Sequence, residues 1–203
     1  MESLLPIFYL PPVSWWKVFL DNDNKITFER FENFPKQTYR NRANIYGANG
    51  KLSLIIPIKH TGKRALHEIE ISHAERWKDL HWKSIKTAYQ SSPYFEFYED
   101  SLAEIFDFET DSLMDFNLNG IGIIQKILKT EKAYSLNSAY SKDFPGEDFR
   151  LRFSAKNPEN PIAPHYYQVF GDRFGFLPDL SVVDLICNEG PGALAYIENF
   201  NIR

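Results

Sequence analysis

The chain has 203 residues, 43% of them hydrophobic and 16% aromatic, and a formal net charge of −4 at pH 7. A chain of this size and composition buries a sizeable core, and we expect residues 1–203 to form one domain. The acidic balance argues against a nucleic-acid partner, which would need a basic face to neutralise phosphates. No apolar run approaches the ~18 residues that span a bilayer, so no membrane insertion is predicted.

The N-terminus and the cysteine content predict a cytoplasmic protein. Residues 1–6 lack the basic segment and the small-residue cleavage site of a signal peptide. The single cysteine, Cys187, has no partner for an internal disulfide, which fits a reducing compartment. One cysteine and histidines without metal-ligand spacing predict no metal site. The cofactor and the oligomeric state stay open.

The first predicted unit is strand, helix, strand. The apolar run Leu4–Leu10 predicts a strand, and Pro11-Pro12 suits the start of a helix, where a missing N–H costs nothing. Alternation over Lys25–Phe31 predicts the second strand, for which a parallel crossover is the natural arrangement. The inward face of the helix would carry Val13, Trp16, Lys17 and Leu20.

A β-hairpin is predicted over residues 44–58. Asn49-Gly50 suits the two positive-φ positions of a type I′ turn. One face of the second strand would carry Leu52, Leu54, Ile56 and Ile58. Alternation over residues 66–71 predicts one more short strand.

Three helices are predicted next. Ser72-His73-Ala74-Glu75 has capping-box spacing and would start a helix that runs to about Tyr89. A second helix follows Pro93, and a third spans about residues 112–129. The inward positions would be Trp77, Leu80, His81, Ser84, Ile85 and Ala88 in the first, Phe95, Tyr98, Leu102, Ile105 and Phe106 in the second, and Leu113, Phe116, Ile124, Ile127 and Leu128 in the third.

Residues 138–164 lack a period and are rich in proline, which predicts a long surface loop. Residues 165–170 would return as a strand. Asp179 would cap a final helix that ends at Gly190-Pro191. The predicted fold class is α/β: a mixed sheet with an N-terminal strand–helix–strand unit, a β-hairpin and several packed helices.

The densest polar cluster near a predicted strand contains Lys36, Arg40, Asn41 and Arg42. Two guanidinium groups that flank an amide suit bidentate binding of a carboxylate or phosphate. The alternative is a solvated charge run whose arginines pair with surface acids.

His81 lies four residues after Trp77, on one helical face. Its functional interpretation is an acid, a base or a ligand donor in an aromatic pocket. Its alternative is a histidine at the core edge that bonds to backbone or carboxylate. Tyr94, in the aromatic stretch 92–98, would line a ligand cleft or pack in the core.

Asp184 and Asn188 lie four apart on the last predicted helix, and Glu189 follows at its end. Two carboxylates and an amide suit a general base or a cation site. The alternative is a plain helix stop, which explains Gly190 and Pro191 but not the acids. The usual catalytic signatures, such as a glycine-rich phosphate loop or a Gly-x-Ser-x-Gly elbow, are absent from the sequence.

Several short motifs occur in a defined order, and together they resemble the WbqC-like family of bacterial proteins over about residues 7–192. The motifs are Tyr9-Leu10-Pro11, Tyr39-Arg40-Asn41-Arg42, Ile56-Pro57-Ile58, His81-Trp82 with Ala88-Tyr89, Ser92-Pro93-Tyr94-Phe95, and Leu180-Ser181 through Asp184 to Asn188-Glu189-Gly190-Pro191.

The resemblance implies an enzyme of bacterial surface-polysaccharide (O-antigen) or amino-sugar biosynthesis, with aminoacyl (glycine) or acyl transfer as its reaction. Its substrate would be a small anion such as a nucleotide-linked sugar. Lys36, Arg40 and Arg42 would bind the anion, with Asn41 and Asn188 as further ligand contacts. His81, Glu189 or Asp184 would take a proton, and Trp82 with Tyr94 would wall the pocket. The competing hypothesis is a non-catalytic small-molecule-binding or assembly module.

Overall fold

The computed structural model describes residues 2–21, 25–155 and 163–201. The strands are β1 (Glu2–Pro6), β2 (Lys25–Glu29), β3 (Arg42–Gly47), β4 (Gly50–Ile55), β5 (Tyr134–Leu136) and β6 (Glu147–Asp148). The helices are α1 (Val13–Leu20), α2 (Trp77–Tyr89), α3 (Phe95–Asp107), α4 (Leu113–Ile127), α5 (Gly171–Phe174), α6 (Val182–Glu189) and α7 (Ala193–Glu198), with 3-10 turns at Leu66–Glu68 and Gly190–Gly192. The predicted α/β class is confirmed. The parallel strands form one sheet in the order β5-β2-β1-β6, and the hairpin β3-β4 forms a second sheet.

The strand–helix–strand unit is confirmed, with β1 and β2 parallel from the pair Glu2–Lys25 to the pair Pro6–Glu29. On the helix, Val13 and Trp16 are buried as predicted, whereas the predicted inward positions Lys17 and Leu20 are not. Trp15 and Phe19 are fully buried and stack with centroids 5.0 Å apart, whereas Lys17 donates from Nζ to the carbonyl of Glu198. The large aromatic rings bury more apolar surface than Lys17 and Leu20 would, so they set which face is inward.

The hairpin is confirmed, but its turn differs from type I′. Strand pairing closes at Gly47 and Gly50, and the positive φ of +94° falls on Gly50 while Asn49 stays in the ordinary region. A single left-handed glycine after the turn is the other common way to match the twist of the two strands. Leu54 is buried as predicted, whereas Leu52 is exposed.

The strand predicted at residues 66–71 is wrong. The backbone N–H of Leu66 donates to Glu32, and that of Ile71 donates to Asp111, so the segment bonds to separate parts of the chain instead of one neighbouring strand. The capping box at Ser72 is also wrong. The N–H of Ser72 donates to the carbonyl of Pro57, and α2 begins only at Trp77.

The helices α3 and α4 agree with the prediction. Ser112 caps α4, because its side chain accepts a hydrogen bond from the N–H of Asp115 at 3.1 Å. Gly120 lies where α4 crosses α3, and a Cβ there would lie 3.6 Å from Ile105. That is an ordinary contact distance, so the space between the two helices would also accept an alanine.

The C-terminal third departs most from the predictions. The strand β6 lies inside the predicted loop 138–164 and pairs with β1, and residues 165–170 form no strand. Ser181, not Asp179, caps α6, and α7 follows Gly190-Pro191. Residues 156–162 of the predicted loop lie outside the described residues. Among the helices described, none is long and apolar enough to cross a membrane.

Candidate functional site

The order of the parallel strands creates a topological switch point beside β1, because β2 and β5 lie on one side of it and β6 on the other. In open parallel sheets the crevice at such a point, outside the carboxyl ends of the strands, is a common ligand site. Phe8 follows β1 and is fully buried, with its ring centroid 5.8 Å from that of Phe153 and 5.4 Å from the Arg40 guanidinium. The protein's own side chains therefore fill this crevice.

The N-terminus of α1, a usual anion position in such folds, holds an internal carboxylate. Asp179 accepts hydrogen bonds of 2.7 Å from both the backbone N–H and the hydroxyl of Ser14. Its φ of +54° is unusual for a residue with a side chain. This carboxylate takes the place that a phosphate occupies in many nucleotide-binding folds.

A groove of about 800 Å³ lies beside the hairpin instead, at the end of β4. One wall comes from residues 33–34, 36–37 and 41–42, and the other from residues 55–64, and Ile69 also lines the groove. Two short backbone bonds connect the walls: Phe34 N–H donates to the carbonyl of Arg64 at 2.7 Å, and Ile56 N–H donates to that of Asn41 at 2.8 Å. The groove is therefore preformed, and its size suits a small molecule.

The groove is strongly basic although the whole chain is acidic. Its charged lining residues are Lys36, Arg42, Lys59, Lys63 and Arg64, and His60 lies among them. Among the described residues no aspartate or glutamate lines it. A concentration of one charge sign in a concave site raises the local concentration of the opposite ion. The groove is thus a candidate anion site.

Two of the groove lysines have internal partners. Lys59 Nζ lies 3.2 Å from Glu70 Oε2 and 3.6 Å from Asp111 Oδ2, and Lys63 also pairs with Glu70. Hydrogen bonds from Lys63 and Lys59 hold the pKa of Glu70 below its ordinary value. The charge of these two lysines is therefore partly neutralised from outside the groove.

The remaining three cations, Lys36, Arg42 and Arg64, have no acidic partner within the described part of the chain. The Nε of Arg42 is buried and also lacks a hydrogen-bond acceptor there. A buried donor without a partner is costly. Beside it, Asn41 Nδ2 donates to the carbonyl of Ile56 at 2.9 Å, which fixes the start of β3 against the opposite wall.

Arg40 lies outside the groove, in a buried ion pair. Its Nε and Nη2 donate to the two carboxylate oxygens of Glu32, each at 2.6 Å, and the side chain is 2% exposed. Glu29, fully buried, lies 3.3 Å from Arg150, which also pairs with Asp148. Burial raises the pKa of Glu32, and Arg40 partly offsets that rise. Arg40 Nη2 also donates to the carbonyl of Arg150 at 3.3 Å, so it joins the segment after β2 to the segment after β6.

His81 and Trp82 lie in the packing of α2. His81 Nδ1 lies 2.9 Å from the Tyr9 hydroxyl, and its ring stacks on Tyr9 and meets Trp77 edge-on. Burial lowers the pKa of His81 to about 4, and a backbone hydrogen bond to Ile55 partly offsets this shift. Trp82 stacks on Phe95 at the interface of α2 and α3. Neither side chain lines the groove.

Asp184 and Asn188 are brought together in a buried network at α6. Asp184 Oδ2 accepts from the Tyr166 hydroxyl at 2.6 Å and from Gln168 Nε2 at 2.9 Å. Burial raises the pKa of Asp184 to about 6, and its hydroxyl and amide neighbours partly offset the rise. Asn188 Nδ2 donates to the carbonyl of Asp184. The network anchors residues 166–168 to α6.

Tyr94 and Glu189 lie at the end of α6. The N–H of Tyr94 donates to the carbonyl of Cys187, and its ring lies against Gly190, where a Cβ would be 2.4 Å from the ring. Glu189 is partly exposed beside Gly192 and does not line the groove. The motifs that contain Tyr94 and Gly190 therefore pack on each other.

The structure thus divides the predicted site residues. Lys36, Asn41 and Arg42 share the groove, whereas the other seven predicted side chains do not line it. Sequence reasoning missed the segment after β4, which contains Lys59, His60, Lys63 and Arg64. Four basic side chains in six residues directly after a strand were the available signal.

Together these features define an α/β protein whose usual ligand crevice is closed and whose basic groove lies beside a separate hairpin. The model of the WbqC-like protein family matches residues 8–148. The match covers well over half of the chain, which therefore belongs to the WbqC-like family. Leu180–Pro191, the last motif of the predicted resemblance, lies beyond the matched range. Comparison with curated proteins and with solved structures gave no match.

Proposed function

We propose that this WbqC-like protein binds a small anionic molecule in the basic groove. The supporting observation is that Lys36, Arg42 and Arg64 lack acidic partners among the described residues, in a groove without a lining carboxylate. Charged hydrogen bonds from guanidinium and ammonium groups are the strongest that a protein offers to phosphate or carboxylate. The left-handed φ of +62° at Gln37, on the groove wall, is local strain of the kind that clusters at functional sites.

Binding of inorganic phosphate and of nucleotide-linked sugars, measured by calorimetry on the full chain, tests this proposal. Arg42→Gln should weaken binding about tenfold, because one charged hydrogen-bond donor is lost. Lys51→Gln is the matched control, since Lys51 is exposed on β4 but does not line the groove. Equal affinities of the two variants and the wild type would contradict the proposal.

The reaction we propose is aminoacyl or acyl transfer onto an amino sugar in cytoplasmic surface-polysaccharide biosynthesis. In this reaction the amine of the sugar attacks the acyl carbon, the anionic leaving group of the donor departs, and the amine loses a proton. His60 lines the groove and is exposed, so it is the histidine placed to accept that proton. The assay is the mass increase of an amino-sugar nucleotide incubated with an aminoacyl donor. His60→Gln should retain phosphate binding and lose transfer.

A non-catalytic binding module is the second candidate function. The observation that favours it is that His81, Asp184 and Glu189, the proton acceptors predicted from the sequence, do not line the groove. This function predicts binding of the anion without turnover of any donor. Unchanged donor and acceptor in the mass assay, together with groove-dependent phosphate binding, would support it over transfer.

A further inference from the structure

The groove has an apolar wall as well as a basic one. Ile55, at the end of β4, is 45% exposed and lines the groove, and Phe34 and Ile58 are half-buried beside it. The fully buried Ile56 and the buried Ile69 form the surface beneath them. A single exposed isoleucine on a protein surface is ordinary. An apolar surface inside a concave, preformed and cationic groove is the composition of a ligand site.

The size of the groove shows that an inorganic anion would leave most of it unfilled. Its volume is about 800 Å³, whereas a small ion such as phosphate takes a volume of only a few water molecules, each of about 30 Å³. A phosphate held by Arg42 and Lys36 would leave the wall of Ile55 and Phe34 in contact with water. A ligand that also covers this wall gains the free energy of apolar burial in addition to the charged contacts.

We infer that the natural ligand of the groove is an amphiphilic anion, in which a phosphate or carboxylate is bonded to an alkyl, acyl or aromatic group. The anionic head binds Lys36, Arg42 and Arg64, the lining cations without an acidic partner among the described residues. The apolar group lies along Phe34, Ile55 and Ile58. This inference rests on the proposed function, because it requires that the groove binds anions, and it adds the chemical class of the rest of the ligand.

The test is calorimetric binding of four phosphates to the full chain: inorganic phosphate, glycerol phosphate, propyl phosphate and hexyl phosphate. Propyl and glycerol phosphate have the same carbon skeleton and differ in two hydroxyl groups, so their comparison isolates the apolar contact. Propyl phosphate should bind about tenfold more tightly than glycerol phosphate, with a further gain of about twofold or more for each added methylene in hexyl phosphate. Equal affinities of propyl and glycerol phosphate would overturn the inference.

A matched pair of variants locates the apolar contact. Ile55→Thr should weaken the binding of hexyl phosphate about three- to tenfold and leave the binding of inorganic phosphate unchanged. Leu52→Thr is the control, because Leu52 is on the same strand and 40% exposed but does not line the groove. Threonine is well tolerated in strands, so both variants should fold. A loss of equal size in the two variants would also overturn the inference.

The outcomes separate this inference from the proposed function. If inorganic phosphate binds in an Arg42-dependent way but chain length has no effect, only the amphiphilic ligand is overturned. If none of the four phosphates binds, the proposed function itself is contradicted, and with it the inference that rests on it. If the protein binds vesicles that contain phosphatidic acid but does not bind soluble hexyl phosphate, the ligand is not a soluble small molecule. The groove would then bind lipid headgroups at a membrane surface.

Discussion

Arg40 and Arg42 are two residues apart in the chain, yet their side chains enter opposite environments. Arg40 is buried in a bidentate pair with Glu32, and Arg42 lines the groove with its Nε unpartnered among the described residues. The turn that precedes β3 separates them, so they do not share a face as they would in an extended strand. Two arginines that form one cluster in the sequence therefore have different roles: Arg40 stabilises the fold, and Arg42 is a candidate ligand contact.

Arg40→Met should lower the free energy of unfolding by about 3–5 kcal/mol, because it leaves the buried Glu32 carboxylate without its partner. Urea denaturation measures this loss. The double variant Arg40→Met with Glu32→Leu should recover most of it, since both charges are then removed. If the double variant were less stable than Arg40→Met, the assignment of the loss to the unpaired charge would be wrong.

Glu70→Gln should strengthen phosphate binding about two- to fivefold, because Lys63 loses its acidic partner and Lys59 keeps only Asp111. Calorimetry on the wild type and the variant measures the change. Glu75→Gln removes the same charge from an exposed position that does not line the groove and should have no effect. A similar gain in both variants would indicate a general charge effect instead.

Asp184 should make the protein less stable as pH rises from about 4 to about 6. Burial raises its pKa from 3.8 to about 6 in the folded state, so over this window the folded protein binds more protons than the unfolded chain. The stabilisation is complete below pH 3.8 and is lost as pH rises through 6. A shift of this size corresponds to about 3 kcal/mol. In Asp184→Asn this contribution should disappear from unfolding free energies measured across the pH range.

The titration of His81 should change the stability of the protein in the opposite direction to that of Asp184, over nearly the same pH range. Burial lowers its pKa from 6.5 to about 4, so the unfolded chain binds the extra proton between these values. The stabilisation is present above pH 6.5 and is lost as pH falls towards 4. Asp184→Asn should therefore show a steeper loss of stability at acid pH than the wild type. His81→Gln should show a shallower loss, and equal pH slopes in all three proteins would contradict both assignments.

Gly190→Ala should destabilise the protein by roughly 3 kcal/mol or more. The residue has a φ of +52°, and a Cβ would lie 2.4 Å from the ring of Tyr94, so the substitution adds backbone strain to a steric clash. Gly192→Ala is the control, because its φ is −77° and its Cβ would lie 3.6 Å from the nearest atom. The midpoint temperatures of thermal unfolding of the two variants should differ by several degrees. Similar midpoints would contradict the close approach of Tyr94 to Gly190.

The elements that sequence patterns predicted correctly are those stabilised by near neighbours. The helix α4 has its apolar period and its own cap at Ser112, and the hairpin has its glycine at the turn. The strands β5 and β6 were missed because they are three and two residues long and their side chains are exposed. Each forms only because the edge of β2 or β1 offers hydrogen bonds across more than 100 residues of chain.

In the candidate site, too, the sequence predicted the residues that are close together in the chain and missed those that only the fold brings together. A local polar cluster indicated Lys36, Arg40, Asn41 and Arg42, of which all but Arg40 share the groove. Four residues of the opposite wall, Lys59, His60, Lys63 and Arg64, approach only after the chain folds back along β4. The roles predicted for Asp184, Glu189 and His81 in one site assumed that they converge, and their burial and partners depend on helices that meet in the tertiary structure.

The sequence by itself determined the α/β class, the strand–helix–strand unit, the hairpin, the helices α3 and α4, and membership of the WbqC-like family. These follow from periodicity, turn chemistry and the order of short motifs, all of which are local. Only the tertiary structure decided which of two neighbouring arginines is free. The reason is physical: the partner that neutralises a charge is selected by distance in space, and Glu32 reaches Arg40 but no acid of the described chain reaches Arg42.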